Sequence, residues 1–342
     1  MEKKEKIYII TNESVSEKDN FFFCDNIDLK TIPEELNKKN DITLFARKSK
    51  IERSKKIFLE KIYLHSNIVS FSFSILLSIF KKNCNYLIIS LTPYTFIANF
   101  FLKLFFKKNF IYLRSDGYEE YKSIFGFYGS WIYHLMFQFA SINSNLISCR
   151  ERILKNKKGK IVHPSQINDR WFQNRKKINF EKIKMLYVGR MRIEKGIFSL
   201  MELIKDKKLN LQIVTSEKYD ELNLIPKNCS LINFENKNDS IIKFYDECNI
   251  FILPSFTEGH SQVVDEALAR LRPVIIFSEI SHLKEVGNRR GVFVCKREIQ
   301  SLVNMINYIS SNYNNIKTDM EKNILPTKKD FINDLSNILL KN

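Results

Sequence analysis

The sequence predicts an α/β protein built as two doubly wound domains facing a cleft. Short apolar runs alternate with segments of helical period through both halves of the chain, the pattern of βαβ units on a parallel sheet. At 342 residues the chain exceeds one ordinary domain, and each half is long enough to enclose its own core. Between the halves lies QINDRWFQNRKKINFEK, polar and without clear period, which reads as the linker over about residues 165–182. The domains expected are 1–170 and 171–325, followed by a C-terminal helix, 326–342, packing back on the first.

In the first half, Ile7–Ile10 is a short strand that ends at the polar stretch TNESVSEKD, and Ile42–Ala46 is a second strand. Tyr86–Ser90 and Phe110–Leu113 follow as strands, separated by the apolar segment Tyr94–Phe106. Trp131–Phe139 reads as a helix and Asn145–Ser148 as a strand. The second half repeats the alternation at Met185–Val188, Leu211–Val214, Leu231–Phe234, Ile250–Leu253, Val274–Ile276 and Val292–Val294. The Asn/Lys-rich tail closes the chain with one or two helices.

The stretch from Ile250 to Val286 is the most informative. Its apolar run stops at Pro254 and Ser255, and Val263, Val264, Ala267, Leu268 and Leu271 then recur at helical spacing. A helix therefore starts near Ser261, and Pro273 restarts the chain as a strand. Such a βαβ unit binds ligands at the carboxyl ends of its strands. Glu258 stands at that end and Glu266 lies about two turns further on, roughly 12 Å of helix rise away. That separation suits an extended, hydroxyl-bearing ligand better than a metal ion. It is equally what two ordinary solvated helix glutamates would show.

Composition narrows the classes. With 44% hydrophobic and 27% charged residues the chain is globular. Its net charge of +17 admits nucleic acid, an anionic membrane or a polyanionic substrate. Six cysteines lie far apart, without a CxxC pair or a secretory signal, which favours reduced thiols and argues against zinc. No two of the nine glycines are spaced GxG, no two aspartates DxD, and HExxH is absent. The chain thus has no dinucleotide fingerprint, no Walker loop and no motif-encoded metal. Phosphates held here must be neutralised by side chains and helix ends.

KMLYVGRMRIEKGIFSLMELI supplies such side chains. The strand Met185–Val188 ends at Gly189, Arg190 follows, and Lys195 lies near the start of a helix bearing Ile197, Leu200, Met201 and Ile204. An arginine fork and a lysine point charge beside a helix N-terminus suit a diphosphate. The alternative is two surface cations among the 55 Lys and Arg.

GRMRIEKG followed by PSFTEGHSQVVDEALARLRPVI resembles the donor-binding half of the family-4 glycosyltransferases, retaining enzymes of the GT-B fold with two Rossmann-like domains. The resemblance is specific over roughly residues 183–295 and architectural elsewhere. It implies an N-terminal acceptor-binding domain and a C-terminal nucleotide-sugar domain of the kind found in surface-polysaccharide and lipopolysaccharide enzymes. It further implies that Arg190 and Lys195 stabilise the donor diphosphate, that Glu266 holds the ribose hydroxyls and that Glu258 contacts the transferred sugar. Gly189 turns the chain, and Gly259, His260 and Ser261 offer backbone N–H groups to sugar or phosphate. Base contacts fall near Thr215 and Asn233 to Glu235. The substrate would be a UDP- or GDP-sugar, with no cofactor and no metal. Arg190 and Lys195 would stabilise the departing diphosphate as the sugar becomes oxocarbenium-like. An acceptor hydroxyl entering on the vacated face needs no protein nucleophile.

Three positions depart from the family pattern. TNESVSEKD lacks the glycine-rich loop, EGHS replaces EGFG, and Arg114, Ser115, Asp116 and Gly117 replace a histidine. Asp116 is therefore a candidate acceptor-site or catalytic group, or simply an aspartate at a turn. Thr95, Asn99, Lys103 and Lys107 recur at i+4 along an otherwise apolar segment. This reads either as a basic-aromatic face resting on anionic lipid or as a helix packed on the first sheet. The function expected is glycosyl transfer to a glycan or lipid-linked acceptor, in the cytoplasm or peripheral on the inner face of the membrane. A nucleotide-sugar epimerase of the same architecture is the alternative. A nucleic-acid-binding protein is disfavoured because the lysines are dispersed.

Overall fold

The computed structural model describes residues 4–216, 219, 224–234, 241–258, 260–281 and 283–340. The chain forms two compact units, one of Met1–Pro164 with Lys329–Asn342 and one of Ser165–Lys328. The first boundary falls before residue 170 because Ile167 and Trp171 are buried in the second unit's core.

The first unit contains β1 (Lys6–Lys18), β2 (Phe21–Cys24), α1 (Ile27–Asn37), β3 (Asp41–Lys48), β4 (Lys55–Ile57), β5 (Ile62–His65), α2 (Ile68–Ile79), β6 (Cys84–Ile89), α3 (Pro93–Leu104), β7 (Asn109–Leu113), α4 (Gly117–Ser141), β8 (Asn145–Ser148) and β9 (Gly159–Ile161). Its parallel sheet runs β5-β3-β1-β6-β7-β8-β9. Side chains alternate across it, as strand geometry requires. Ile7, Ile9, Leu87, Ile89, Phe110 and Tyr112 enter one core. Ile10, Tyr86, Ile88, Ile111 and Leu113 enter the other.

Two readings of this unit are corrected. The first strand does not end at TNESVSEKD: after a register shift between Ile10 and Ser14, β1 continues to Lys18. It then turns at Asp19 and Asn20, φ 51° and 62°, into antiparallel β2. Aspartate and asparagine accept positive φ at low cost, so this polar pair makes a two-residue hairpin turn. In α3, Thr95 and Asn99 face inward at 0% exposure. Thr95 completes a capping box with Thr92, and Asn99 donates to Asn109 Oδ1 at 3.2 Å. The aromatic residues of this helix, not its short polar ones, meet solvent.

The second unit contains β10 (Lys184–Val188), α5 (Ile197–Ile204), β11 (Asn210–Thr215), β12 (Cys229–Asn233), α6 (Ile241–Glu247), β13 (Ile250–Leu253), α7 (Gln262–Ala269), β14 (Val274–Phe277), α8 (Leu283–Gly287), β15 (Val292–Cys295) and α9 (Ile299–Met320). All neighbours are parallel in the order β12-β11-β10-β13-β14-β15. This is the doubly wound order, and it reverses between β10 and β13. The last helix, α10 (Lys328–Leu340), seats Phe331, Leu335 and Leu339 in the first unit's core.

The segment expected to be a linker is held by two buried arginines. Arg270, 1% exposed, donates to both Asp246 oxygens at 2.9 and 2.8 Å and to the carbonyls of Trp171, Gln173 and Asn174. Arg272, fully buried, donates to the carbonyls of Tyr245, Asp246, Lys176 and Arg270. Asp246→Ala would strand two buried guanidinium groups and is expected to cost about 3–5 kcal/mol. Urea unfolding followed by fluorescence of Trp171, which packs on Tyr245, measures this; an unchanged midpoint would contradict it.

Candidate functional site at the strand-order reversal

The reversal places the carboxyl ends of β10 and β13 side by side, and the loops that follow them are joined. After β10 the chain passes Gly189 and Arg190 to a 3₁₀ turn, Ile193–Lys195, and then to Gly196 at the start of α5. Gly196 has φ 65°, and a Cβ there would lie 2.0 Å from Pro254 O. Only glycine fits, because both the left-handed backbone and the contact exclude a side chain. Phe256 N donates to Glu194 O at 3.0 Å. Arg297 donates to Pro254 O at 2.7 Å while lying 4.3 Å from the ring centres of both Phe256 and Phe277. Gly189 serves differently from the expected turn: a Cβ would strike the Tyr187 hydroxyl, which donates to Arg190 O at 2.7 Å.

These joined loops bring Lys195 and Glu258 together. Lys195 Nζ lies 2.7 Å from Glu258 Oε1, which also accepts from Ser255 Oγ at 2.6 Å. Glu258 is 9% exposed, so its charge depends on these partners. Glu266, on α7, is also buried and accepts from the Tyr245 hydroxyl at 2.6 Å. Burial pushes its carboxyl up from 4.5 to about 7; the Tyr245 hydrogen bond opposes the rise and neighbouring Asp265 adds to it. Neither glutamate is a solvated helix residue.

Arg190 is exposed, and among the described residues its guanidinium makes no hydrogen bond or ion pair. The His260 side chain is 3% exposed, with Nε2 3.8 Å from Asp265 Oδ2, and Arg289 pairs with the other oxygen of that aspartate. Ser261 is buried at the N-cap of α7, where its side chain makes no capping bond. Thr215 is buried at the end of β11, and Asn233 ends β12. Gly259 and Glu235 lie outside the described residues. Asp116 belongs to the first unit. There it caps α4 by accepting from Tyr118 N at 3.0 Å, with Lys155 at 2.7 Å and Arg152 at 3.8 Å. Among the described residues no group of three His, Cys, Asp or Glu is placed to hold a metal.

Ser255, Tyr245 and Arg297 escaped the sequence reading. Ser255 was visible as the strand's stop, but its hydroxyl's reach to Glu258 was not. Tyr245 lies on α6, a helix with no period long enough to read. Arg297 had no signal beyond its charge.

Residues 169–325 match the family described as Glycosyl transferases group 1. An uncharacterized glycosyltransferase of Methanocaldococcus jannaschii is 29% identical over 150 residues, 41% of this chain and 42% of that protein. A capsular polysaccharide biosynthesis glycosyltransferase, CapM of Staphylococcus aureus, is 29% identical over 121 residues, 32% of each. The chain thus spans well under half the length of these curated relatives. The structure of WaaG, a glycosyltransferase involved in lipopolysaccharide biosynthesis, superposes with a TM-score of 0.69 at 11% identity, over 98% of this chain and 100% of that one. The fold is GT-B, with parallel-sheet Rossmann-like domains.

Glu266 gives the site a pH signature. Folded Glu266 keeps its proton to higher pH than the unfolded chain does, so its contribution to stability falls as pH rises from about 4.5 to about 7. Glu266→Gln removes that component, a difference of roughly 3 kcal/mol between the ends of the window. Urea titrations of both proteins in a Trp131→Phe background, read through Trp171, test this; parallel pH profiles would refute it.

Proposed function

We propose that the chain is a glycosyltransferase that moves a sugar from a UDP- or GDP-linked donor to a glycan or lipid-linked acceptor, with retention and without a metal. The observation that carries this reading is the Lys195–Glu258–Ser255 group at the reversal point, within the residues matched by the group 1 family. In the reaction the glycosyl–oxygen bond breaks and its electron pair leaves with the diphosphate. Arg190 supplies an uncommitted guanidinium fork for that charge, and Lys195 supplies an ammonium already held in place by Glu258. Glu258 accepts hydrogen bonds from the sugar hydroxyls. Glu266 takes the ribose hydroxyls, with Tyr245 fixing its carboxylate. Gly259, His260 and Ser261 border the sugar and diphosphate. On the first unit, Asp116 with Lys155 and Arg152 is the acceptor-side candidate. Products would be surface glycans of the polysaccharide or lipopolysaccharide kind, made by a protein peripheral on the inner face of the membrane.

A hydroxyl-donating ribose selects the ionised form of Glu266. Nucleotide affinity should therefore rise as pH climbs through about 7. Glu266→Ala should abolish both the pH dependence and most of the thermal stabilisation by UDP or GDP. Arg190→Ala and Lys195→Ala should each lower kcat by about 10²–10³-fold. Product analysis by NMR with each nucleotide sugar decides the reaction: an α-linked donor should give an α-linked product, with the rate unchanged by EDTA. Release of an epimerised nucleotide sugar without transfer would replace this reading by epimerisation.

A further inference from the structure

Three consecutive helices of the first unit expose aromatic and aliphatic side chains that touch one another. Phe73 on α2 and Phe80, just after it, are 61% and 73% exposed, and Phe80 packs edge-on against Phe105, just after α3. On α3, Phe100 is exposed and stacks on exposed Phe139 of α4, ring centres 5.8 Å apart. From Phe139 the exposed stripe climbs α4 through Leu135, Trp131 and Tyr128 at helical spacing. The opposite face of α4 buries Tyr133, Met136, Phe137 and Ala140. These exposed side chains lie outside the core beneath them.

The stripe ends at a break. Gly126 has φ 64° and ψ −150°, a conformation reserved to glycine, and it interrupts α4 inside the sequence Ile124-Phe125-Gly126-Phe127-Tyr128. Phe125, Phe127 and Tyr128 flank the break at 60%, 78% and 76% exposure. Clustered exposed aromatics of this kind mark an interaction surface.

Charge identifies that partner. From Lys81 through Lys108 the chain contains no Asp or Glu but five lysines, Lys81, Lys82, Lys103, Lys107 and Lys108; Lys61, upstream, is paired with Asp41. On α4 the only acids are Glu119 and Glu120, in the first turn. Lys103 bends over the Phe139 ring, 4.7 Å from its centre, with its ammonium on the Phe139 carbonyl. Rings surrounded by lysines without carboxylates suit an anionic lipid surface, where aromatics sit at headgroup depth and ammonium groups meet phosphates. Among the described residues no helix is long and apolar enough to cross a membrane.

We propose that the exposed faces of α2, α3 and α4 form a monotopic docking surface for an anionic bilayer, with the aromatic turn at Gly126 inserted among the lipids. The surface does not depend on the reading of the second unit's chemistry. Trp131 and Trp171 are the only tryptophans, and Trp171 is buried, so Trp131 reports directly on this face.

The test uses the full chain with vesicles of equal parts phosphatidylcholine and phosphatidylglycerol carrying brominated acyl chains. Tryptophan emission should shift to the blue and be quenched, and binding should fall as salt rises. Phe127→Ser and Leu135→Ser, both at exposed positions, should each lower partitioning roughly tenfold with thermal unfolding unchanged. Trp131→Phe should still sediment with the vesicles but lose the quenching. Failure to bind at low salt, binding without quenching, or binding untouched by Phe127→Ser would overturn the proposal. So would equal binding to phosphatidylcholine alone, or a lipid-free dimer dispersed by Phe127→Ser.

Discussion

The second unit depends on one buried charge, Asp246. Its carboxylate faces two guanidinium groups at the end of α7 that have no access to water. Removing two such cations from solvent costs several kcal/mol each, and the carboxylate offsets this only together with backbone carbonyls from residues 171–176 and 245–246. The arrangement tolerates one geometry, so it fixes the segment leading into the unit, the C-terminus of α7 and the C-terminus of α6 together. Asp246 immediately follows Tyr245, and Arg270 follows Glu266 by one helical turn. The charge cluster therefore sets the separation at which Tyr245 meets Glu266. Replacing the whole cluster by apolar residues would cost far less than breaking it; what the cluster supplies is the position of the Glu266 carboxylate.

A second constraint acts on the other glutamate. Glu258 is held in an ion pair with Lys195 and a hydrogen bond with Ser255. On the function proposed above, a diphosphate arriving at Lys195 would compete for the ammonium, and sugar hydroxyls arriving at Glu258 would replace what the carboxylate loses. The first exchange alone would leave the buried Glu258 carboxylate short of a partner. Both together would restore it, which would favour a ligand carrying diphosphate and sugar at once over either piece. The contact of Gly196 with Pro254 O makes this coupling geometric as well, since neither loop can shift without the other.

The sequence displayed some of this and concealed the rest for physical reasons. Strands buried on both faces appear as apolar runs, as in β10, β11, β13 and β14; β12 and β15, at the two sheet edges, are only partly buried but were legible as well. The βαβ pattern pointed to the carboxyl ends of the strands, and the family resemblance linked Gly189–Lys195 with Pro254–Glu266; the reversal between β10 and β13 is a finding of the structure. The extension of β1 was not legible, because its pairing with β2 is carried by backbone groups while its side chains are mostly polar. Nor was the orientation of α3. Thr95 and Asn99 look like a solvent face until a capping box and a buried amide pair satisfy them. The linker's polarity gave the same false signal, since its carbonyls, not its side chains, meet the arginines. Contacts made by backbone atoms leave little trace in residue type.

The two sheet faces of the first unit differ in how they are finished. The face covered by α1 and α10 ends in Phe331, Leu335 and Leu339, all fully buried, so its apolar residues are accounted for by the core. The face covered by α2, α3 and α4 has an equally closed core, with Phe71, Ile75, Ala98, Leu102 and Phe137 almost entirely hidden. Its outer aromatics are therefore not misplaced core residues that a different packing would absorb. Core density leaves no room for them. Exposed rings of this number add nothing to folding and raise the risk of aggregation, so another interaction must account for them. For the membrane docking proposed above, the lysines alongside, with no Asp or Glu from Lys81 through Lys108, would add attraction to negative charge.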